Sequence, residues 1–369
     1  MAQVQTGSFW KKYGFITVAG FIIGALAAFL VYLGNPKNMG TCVVCFYRDI
    51  AGALGLHRAK VVQYIRPEIL GFLFGALISS LIFREFRPRG GSAPLVRFFL
   101  GVFAAIGSLV FLGCPIRMLL RLAGGDLNAV AALLGLLTGI LVGVYFLKEG
   151  FNLGAARPVY PSAGWIMCLF MLLLLFFVIA KPPFIFFSQE GPGSQHADIA
   201  MSLIAGIIVG ILAQRTRFCS CGAWRDLFLV RDAYLFSGVA AFFLGALIVN
   251  LILNATVGGF IKVGTLNQPV AQANQLWNFL GMVLAGLCFI LAGGCPLRQT
   301  IMAGEGDIDS GVFILGIIVG AAFAHNFMLA SSGATPQNPA GALGAYGPIA
   351  VIIGLIFALW VAFTMRERA

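Results

Sequence analysis

Residues 113–126 read GCPIRMLLRLAGGD, and residues 294–307 read GCPLRQTIMAGEGD. Gly, Cys, Pro, Arg, Gly and Asp recur at matching places across a shift of 181 positions. A second motif precedes each copy. Cys42 stands six residues before Arg48-Asp49, and Cys219 stands six before Arg225-Asp226, at a shift of 177. Two motifs repeated in the same order at nearly one spacing mark an internal duplication. The chain therefore divides into an N-terminal unit, residues 1–180, and a C-terminal unit, residues 181–369.

The surroundings of these motifs set the solvent. Of 369 residues, 60% are hydrophobic and only 10% are charged, against about 25% charged in an ordinary soluble protein. Ten apolar stretches approach the roughly 20 residues needed to span a bilayer: 14–34, 67–83, 95–112, 127–147, 164–180, 197–214, 234–253, 276–293, 308–329 and 346–364. The first lacks a small-residue cleavage site and reads as a retained helix rather than a signal peptide. The 47 glycines suit close helix approach in lipid. The net charge of +11 does not point to nucleic acid, because the basic residues are scattered between apolar runs instead of forming one patch.

Orientation follows from the basic residues. With the N-terminus inside, the cytoplasmic segments hold 15 of the 24 Lys and Arg, from Lys11 and Lys12 to Arg366 and Arg368. This bias predicts that both termini are cytoplasmic. Equivalent helices of the two units are five spans apart, an odd number, so the units are expected to run in opposite directions through the bilayer. Inverted repeats of this kind build secondary transporters around broken helices.

Four stretches, 38–60, 114–125, 216–232 and 295–305, are too polar to span yet lie between spans. Non-helical backbone at membrane depth is tolerated only where it is buried in protein or lines a cavity. All four are expected to be short re-entrant helices around a central path. Pro115 and Pro296 suit the first position of a helix, which puts Cys114 and Cys295 at N-caps, where free N–H groups and the helix dipole favour anions. Arg117 and Arg298 follow one turn later and add positive charge. Cys45 and Cys221 lie beside Cys42 and Cys219. Cys42-x-x-Cys45 has the spacing of a redox pair but lacks a thioredoxin-like context. The pairs Arg48-Asp49 and Arg225-Asp226 read as internal ion pairs, and Asp49 and Asp226 are also candidate helix caps. Cys168 and Cys288 fall within apolar runs and read as packing residues. His57, His196 and His325 are isolated in sequence and not at metal-ligand spacing, so no cofactor or metal is expected.

At these motifs the sequence resembles the YeeE/YedE family of membrane proteins, through Phe218-Cys219-x-Cys221-Gly222-Ala223-Trp224-Arg225-Asp226 and the two Gly-Cys-Pro-x-Arg segments. It resembles the YedE branch most through residues 45–58 and Tyr64-Ile65-Arg66-Pro67-Glu68. The resemblance implies an hourglass of spanning helices with short helices meeting at the waist. It implies a prokaryotic inner-membrane protein that takes up a sulfur or selenium compound. The YeeE branch takes up thiosulfate, and the YedE branch is linked to selenium metabolism. The relay cysteines it implies are Cys42, Cys114 and Cys295, with Cys219 in the symmetric place. Cys45 stands where the YeeE-type motif has a small residue. A cytosolic sulfur carrier of the TusA type is the implied protein partner.

These readings converge on a non-enzymatic transporter or channel for a small selenium- or sulfur-containing solute. Thiols supply soft contacts, and helix N-termini and arginines supply charge stabilisation. Two other functions fit parts of the sequence: a membrane thiol oxidoreductase, and a membrane anchor for a cytosolic sulfur or selenium carrier. The cysteines fall symmetrically in both units, which suits a path better than a single active site.

Overall fold

The computed structural model of the protein describes residues 9–366; Arg368, assigned above to the cytoplasmic side, lies outside them. The elements in chain order are α1 (Phe9–Tyr32), α2 (Val43–Ala53), α3 (Pro67–Ile82), β1 (Arg89–Gly90), α4 (Pro94–Phe111), α5 (Pro115–Ala123), α6 (Asn128–Lys148), β2 (Arg157–Pro158), α7 (Pro161–Gly164), α8 (Ile166–Ala180), α9 (Ile199–Thr216), α10 (Ser220–Leu229), α11 (Tyr234–Thr256), α12 (Gln275–Leu291), α13 (Pro296–Gly304), α14 (Ile308–Asn326) and α15 (Gly347–Thr364). Ten of these helices coincide with the ten apolar stretches. Eight stretches, carried by α1, α4, α6, α9, α11, α12, α14 and α15, are long and apolar enough to cross a membrane. The shorter apolar helices α3 and α8 have 16 and 15 residues. The protein is an all-α, multi-pass membrane protein. The antiparallel ribbon β1–β2 and the single turn α7 fall in stretches that the periodicity reads as loop.

The outer surface is what lipid requires. On α15, Ile349, Ile352, Ile356, Trp360 and Phe363 are exposed at intervals of three or four residues, one stripe of a helix facing hydrocarbon. The interior is packed by small residues. Between α3 and α9, Gly71 and Gly75 meet Gly206 and Gly210. A Cβ placed on Gly75 falls 2.2 Å from the carbonyl oxygen of Ile207 and 3.0 Å from Cα of Gly210. In lipid, such close approach is the main source of helix–helix attraction. Gly75→Val is therefore expected to cost about 1–3 kcal/mol or more through overpacking. The check is a fall in the melting temperature of the detergent-purified protein, with Ile78→Val on the lipid-exposed face unchanged as control.

The four main helix pairs, α1 with α11, α3 with α9, α6 with α12 and α4 with α14, each join a helix of the first half to one of the second. Exchanging the halves in order converts the α1–α11 contact into α9–α3, and the α6–α12 contact into α14–α4. The short helices follow suit. α2 packs on α14 and α10 on α6, while α5 packs on α11 and α13 on α3. The last helix of each half departs from the pattern: α8 rests on α3 and α13, α15 on α4 and α12.

Contacts among loops and helix ends define two ends. Lys12–Asp232, Arg89–Asp307, Arg215–Glu85 and the Phe151–Arg366 bridge mark one end. Asn35 with Ala197, Asn326 with Leu56, and Asp126 with Gly264 mark the other. The first described residues and the last lie at the same end.

Candidate functional site

Each of the four polar stretches contains one short helix, and a cysteine caps each: Cys42 on α2, Cys114 on α5, Cys219 on α10 and Cys295 on α13. Pro115 and Pro296 occupy the first helical positions. For Cys42 and Cys219, no proline marked the cap in the sequence, so only the motif repeat could have suggested it. The turn into α5 and α13 needs a left-handed residue. Gly293 supplies it in the second half with φ +96°, whereas Leu112 adopts φ +63° in the first, a costlier choice for a side-chain-bearing residue.

The capping cysteines meet in pairs, one pair in each half. Cys42 Sγ lies 3.8 Å from Cys114 Sγ. Cys42 and Cys114 stand at the N-caps of α2 and α5 without a side-chain cap hydrogen bond. In the second half, the N–H groups of Gly222 and Cys295 both donate to Cys219 Sγ, at 3.2 and 3.3 Å. In the second half one sulfur thus faces N–H groups from two helix N-termini. All eight cysteines are buried free thiols. Cys45 Sγ lies 3.6 Å from Arg117 Nη1. Cys221 is buried in α10, and Cys168 and Cys288 are core packing residues.

The two arginines of the Gly-Cys-Pro-x-Arg motif have different surroundings. Arg117 is wholly buried and its guanidinium is committed: it donates to the carbonyls of Leu112, Asn38 and Val270. Those acceptors come from three separate segments. Arg298 instead pairs with Glu305 at 3.2 Å. It lines a cavity of about 370 Å³ together with Arg217, Cys219, Arg225, Asp226 and Gly293. Three guanidinium groups and one carboxylate thus surround Cys219 at the end marked by Lys12 and Arg366. At the opposite end, a cavity of about 600 Å³ is lined by His57, Arg58, Lys60, Gln63 and Glu190, among others.

The Arg-Asp pairs form the ion pairs expected of them, but the capping role does not hold. Asp49 and Asp226 lie within α2 and α10, well past the N-caps. Asp49 accepts from Arg48 at 2.7 Å and, through its other oxygen, from Arg66 at 2.8 Å, all three buried. Arg225–Asp226 is partly exposed at the cavity. Sequence reasoning missed Arg66, which sits 17 positions from Asp49. It also missed the buried Arg121–Asp126 pair at 2.6 Å, since Met302 replaces the arginine in the second copy. The histidines, isolated in sequence, are not isolated in space. His57 and His325 meet at a tilt of 31° with ring centroids 4.6 Å apart, and His196 stacks on Tyr64 at 4.1 Å. Tyr47 and Thr300 share a hydrogen bond of 2.9 Å that fastens α2 to α13.

Known proteins resemble the chain over parts of its length. Residues 215–369 match the family described as Sulphur transport. The chain is 31% identical over 121 residues to the thiosulfate transporter TsuA of Escherichia coli, a stretch covering 33% of this chain and 32% of that protein. It is 35% identical over 104 residues to the TsuA of Spirochaeta thermophila, covering 28% and 29%. With the probable transporter YedE of Salmonella typhimurium it shares 25% identity over 172 residues, covering 45% and 39%. The matches thus span roughly a third of the length of these relatives, and the resemblance to the YeeE/YedE sulphur-transport family stands on them.

Proposed function

We propose that this YeeE/YedE-like membrane protein carries a small anionic sulfur or selenium compound across the bilayer, along a path that passes the two cysteine pairs. The observation that carries the reading is the paired, buried N-cap thiols of four short helices, Cys42 with Cys114 and Cys219 with Cys295. N–H groups at helix N-termini favour an anion, and polarizable sulfur favours a soft one. Several weak sites in series let a solute both enter and leave. The thiosulfate transporters among the relatives support sulfur as the solute's element; selenium rests on the YedE resemblance. Transport rather than catalysis is the reading throughout.

The exchange of helix contacts between the halves supports the inverted repeat, with residues 1–180 and 181–369 as its units. The end carrying Lys12, Arg89 and Arg366 is assigned to the cytosol on the positive-inside bias, in a prokaryotic inner membrane. The cavity around Cys219 then faces inward. It is the natural release point and the place where a TusA-type carrier would collect the chalcogen. At the outer end, the carbonyls of Asn38 and Val270 cover Arg117 and close the matching place beside Cys114. The structure is thus read as open inward and closed outward.

Uptake of [35S]thiosulfate into proteoliposomes, compared with protein-free vesicles, tests the reading; no difference between them refutes it for this solute. The arginines sharpen it. Lysine cannot reproduce the guanidinium fork. Arg298→Lys is expected to lower uptake by about tenfold, equivalent to about 1.4 kcal/mol, with the melting temperature unchanged. Arg117→Lys is expected to lower the melting temperature, because a single ammonium nitrogen cannot reach all three carbonyls that the guanidinium nitrogens serve. If the two variants behave alike, the proposed division between a cavity arginine and a clamp fails.

A further inference from the structure

A short strap of backbone in the loop between α11 and α12 closes the end of the molecule above the first cysteine pair. Arg117 Nη2 donates to the carbonyl of Val270 at 2.9 Å and reaches that of Pro269 at 3.4 Å. Gln272 and Ser331 both donate to the carbonyl of Val110, at 3.2 and 2.7 Å, close to the break between α4 and α5. Three backbone hydrogen bonds tie the strap to the loop 331–345: Asn267 N–H to Pro339, Ala273 N–H to Ala340 and Ala334 N–H to Ala271, at 2.7, 2.8 and 3.0 Å. Behind it Cys42 and Cys114 are 0% exposed, whereas Cys219 is 5% exposed and lines a cavity.

Closure carries two costs. Val270 has φ +48°, a left-handed conformation that a β-branched residue adopts only under constraint. Gln268 is buried, and its Oε1 meets no donor among the described residues, while its Nε2 donates to the carbonyls of Lys262 and Gly264. A buried acceptor left without a donor is destabilising. The clasp is unusual in turn. Arg117 is wholly buried and forms no ion pair among the described residues. A buried charge normally has a counter-charge, and here backbone carbonyls stand in that place.

The other half has the same frame without the strap. Lys262 and Gly264 donate their N–H groups to the carbonyls of Gly124 and Gly125 at the end of α5, and Arg87 donates likewise to the carbonyl of Glu305 at the end of α13. The loop carrying Lys262, residues 257–274, is longer than the loop carrying Arg87, residues 83–93. The added length takes the chain on to Arg117. Arg298, the counterpart of Arg117, pairs with Glu305 and lines the cavity.

We propose that residues 267–273 form the outer gate of the path. The strap leaves Arg117, taking the carbonyls of Pro269 and Val270 with it, and uncovers Arg117 and Cys114 as Arg298 and Cys219 are uncovered now. This rests on the transport reading above. Arg117 Nη2 holds either the strap or an anion, so a solute that has entered favours the open strap through its own contact with the guanidinium. The strained conformation of Val270 keeps closure marginal, as elements that must move require.

Val270→Pro and Val270→Gly act on the strap in opposite directions. Proline cannot adopt φ +48°, whereas glycine adopts it without steric cost. Each purified protein is treated with a small anionic methanethiosulfonate, and modification of each cysteine is followed by peptide mass spectrometry. In the wild type, Cys219 is expected to react and Cys42 and Cys114 to be protected. Val270→Pro is expected to speed modification of Cys42 and Cys114 by about tenfold, and Val270→Gly to slow it by about fivefold. Cys219 keeps its wild-type rate in both, and Cys288, in the apolar core, stays unmodified. Val270→Gly is compatible with the closed fold and decides the case should Val270→Pro not fold. Wild-type Cys42 and Cys114 reacting as fast as Cys219 overturn the proposal, as does a Val270→Gly variant whose Cys42 and Cys114 react at the wild-type rate. The labelling needs no solute, so its result stands apart from thiosulfate uptake, whose absence refutes the transport reading for that solute and not the gate.

Discussion

Replacing Cys114 or Cys295 by serine is expected to reduce thiosulfate uptake to below about a tenth of wild type, a loss of at least about 1.4 kcal/mol of favourable contact, with expression and melting temperature retained. The same holds for Cys42 and Cys219. Serine matches cysteine closely in size and keeps a donor and an acceptor. At Cys219 a serine oxygen still accepts from the N–H groups of Gly222 and Cys295 that the sulfur accepts now, so the fold has little reason to change. The hydroxyl lacks the thiol's polarizability, and a soft solute passed between sulfurs meets a hard oxygen instead. Cys168→Ser and Cys288→Ser provide the contrast. Both thiols are buried in the apolar core, so an unpaired hydroxyl there costs about 1–3 kcal/mol of stability but leaves the path intact. Initial uptake rates per mole of reconstituted protein, measured with melting curves, separate the two sets. Equal uptake in both sets would leave the cysteine pairs as packing.

Asp49→Asn is expected to be the most damaging single change to the fold. It removes the one negative charge between two buried guanidinium groups, Arg48 and Arg66. Breaking a buried pair by removing one partner costs about 3–5 kcal/mol, a large part of the roughly 5–15 kcal/mol that holds a protein folded. Asp226→Asn changes the same motif in the second half, but Arg225 and Asp226 are 28% and 23% exposed. Water and nearby charge compensate there, and the expected loss is about 0–1 kcal/mol. Thermal unfolding of both variants in detergent tests the difference. Equal shifts would mean that burial does not distinguish these two copies of one motif.

Much of the architecture was legible because lipid imposes it. A span must be apolar over a fixed length, so each of the ten stretches predicted from composition holds one helix, with ends within a few residues. The four polar interruptions had to be buried or line a cavity, and each holds a short helix. Proline after Cys114 and Cys295 gave two of the four caps. The rest depended on contacts between distant segments. Arg117 looked like a free anion ligand until Val270, 153 positions away, and Asn38, 79 positions away, supplied its acceptors. The Asp49–Arg66 pair, the His57–His325 ring contact and the choice of helix partners were hidden for the same reason. No local pattern encodes which loop closes over which side chain. The duplication itself obscured one difference: the two copies of a motif read alike, yet one is sealed and the other opens onto a cavity.

The most direct test of the central claim is the relative rate at which purified wild-type protein admits [35S]thiosulfate and [35S]sulfate into proteoliposomes. The two dianions are both tetrahedral, and only thiosulfate presents a terminal sulfur to a thiol. Rapid thiosulfate entry with sulfate at the level of protein-free vesicles is the result expected of a path that selects through the sulfurs of Cys42, Cys114, Cys219 and Cys295. Sulfate entry as fast as thiosulfate entry would contradict it.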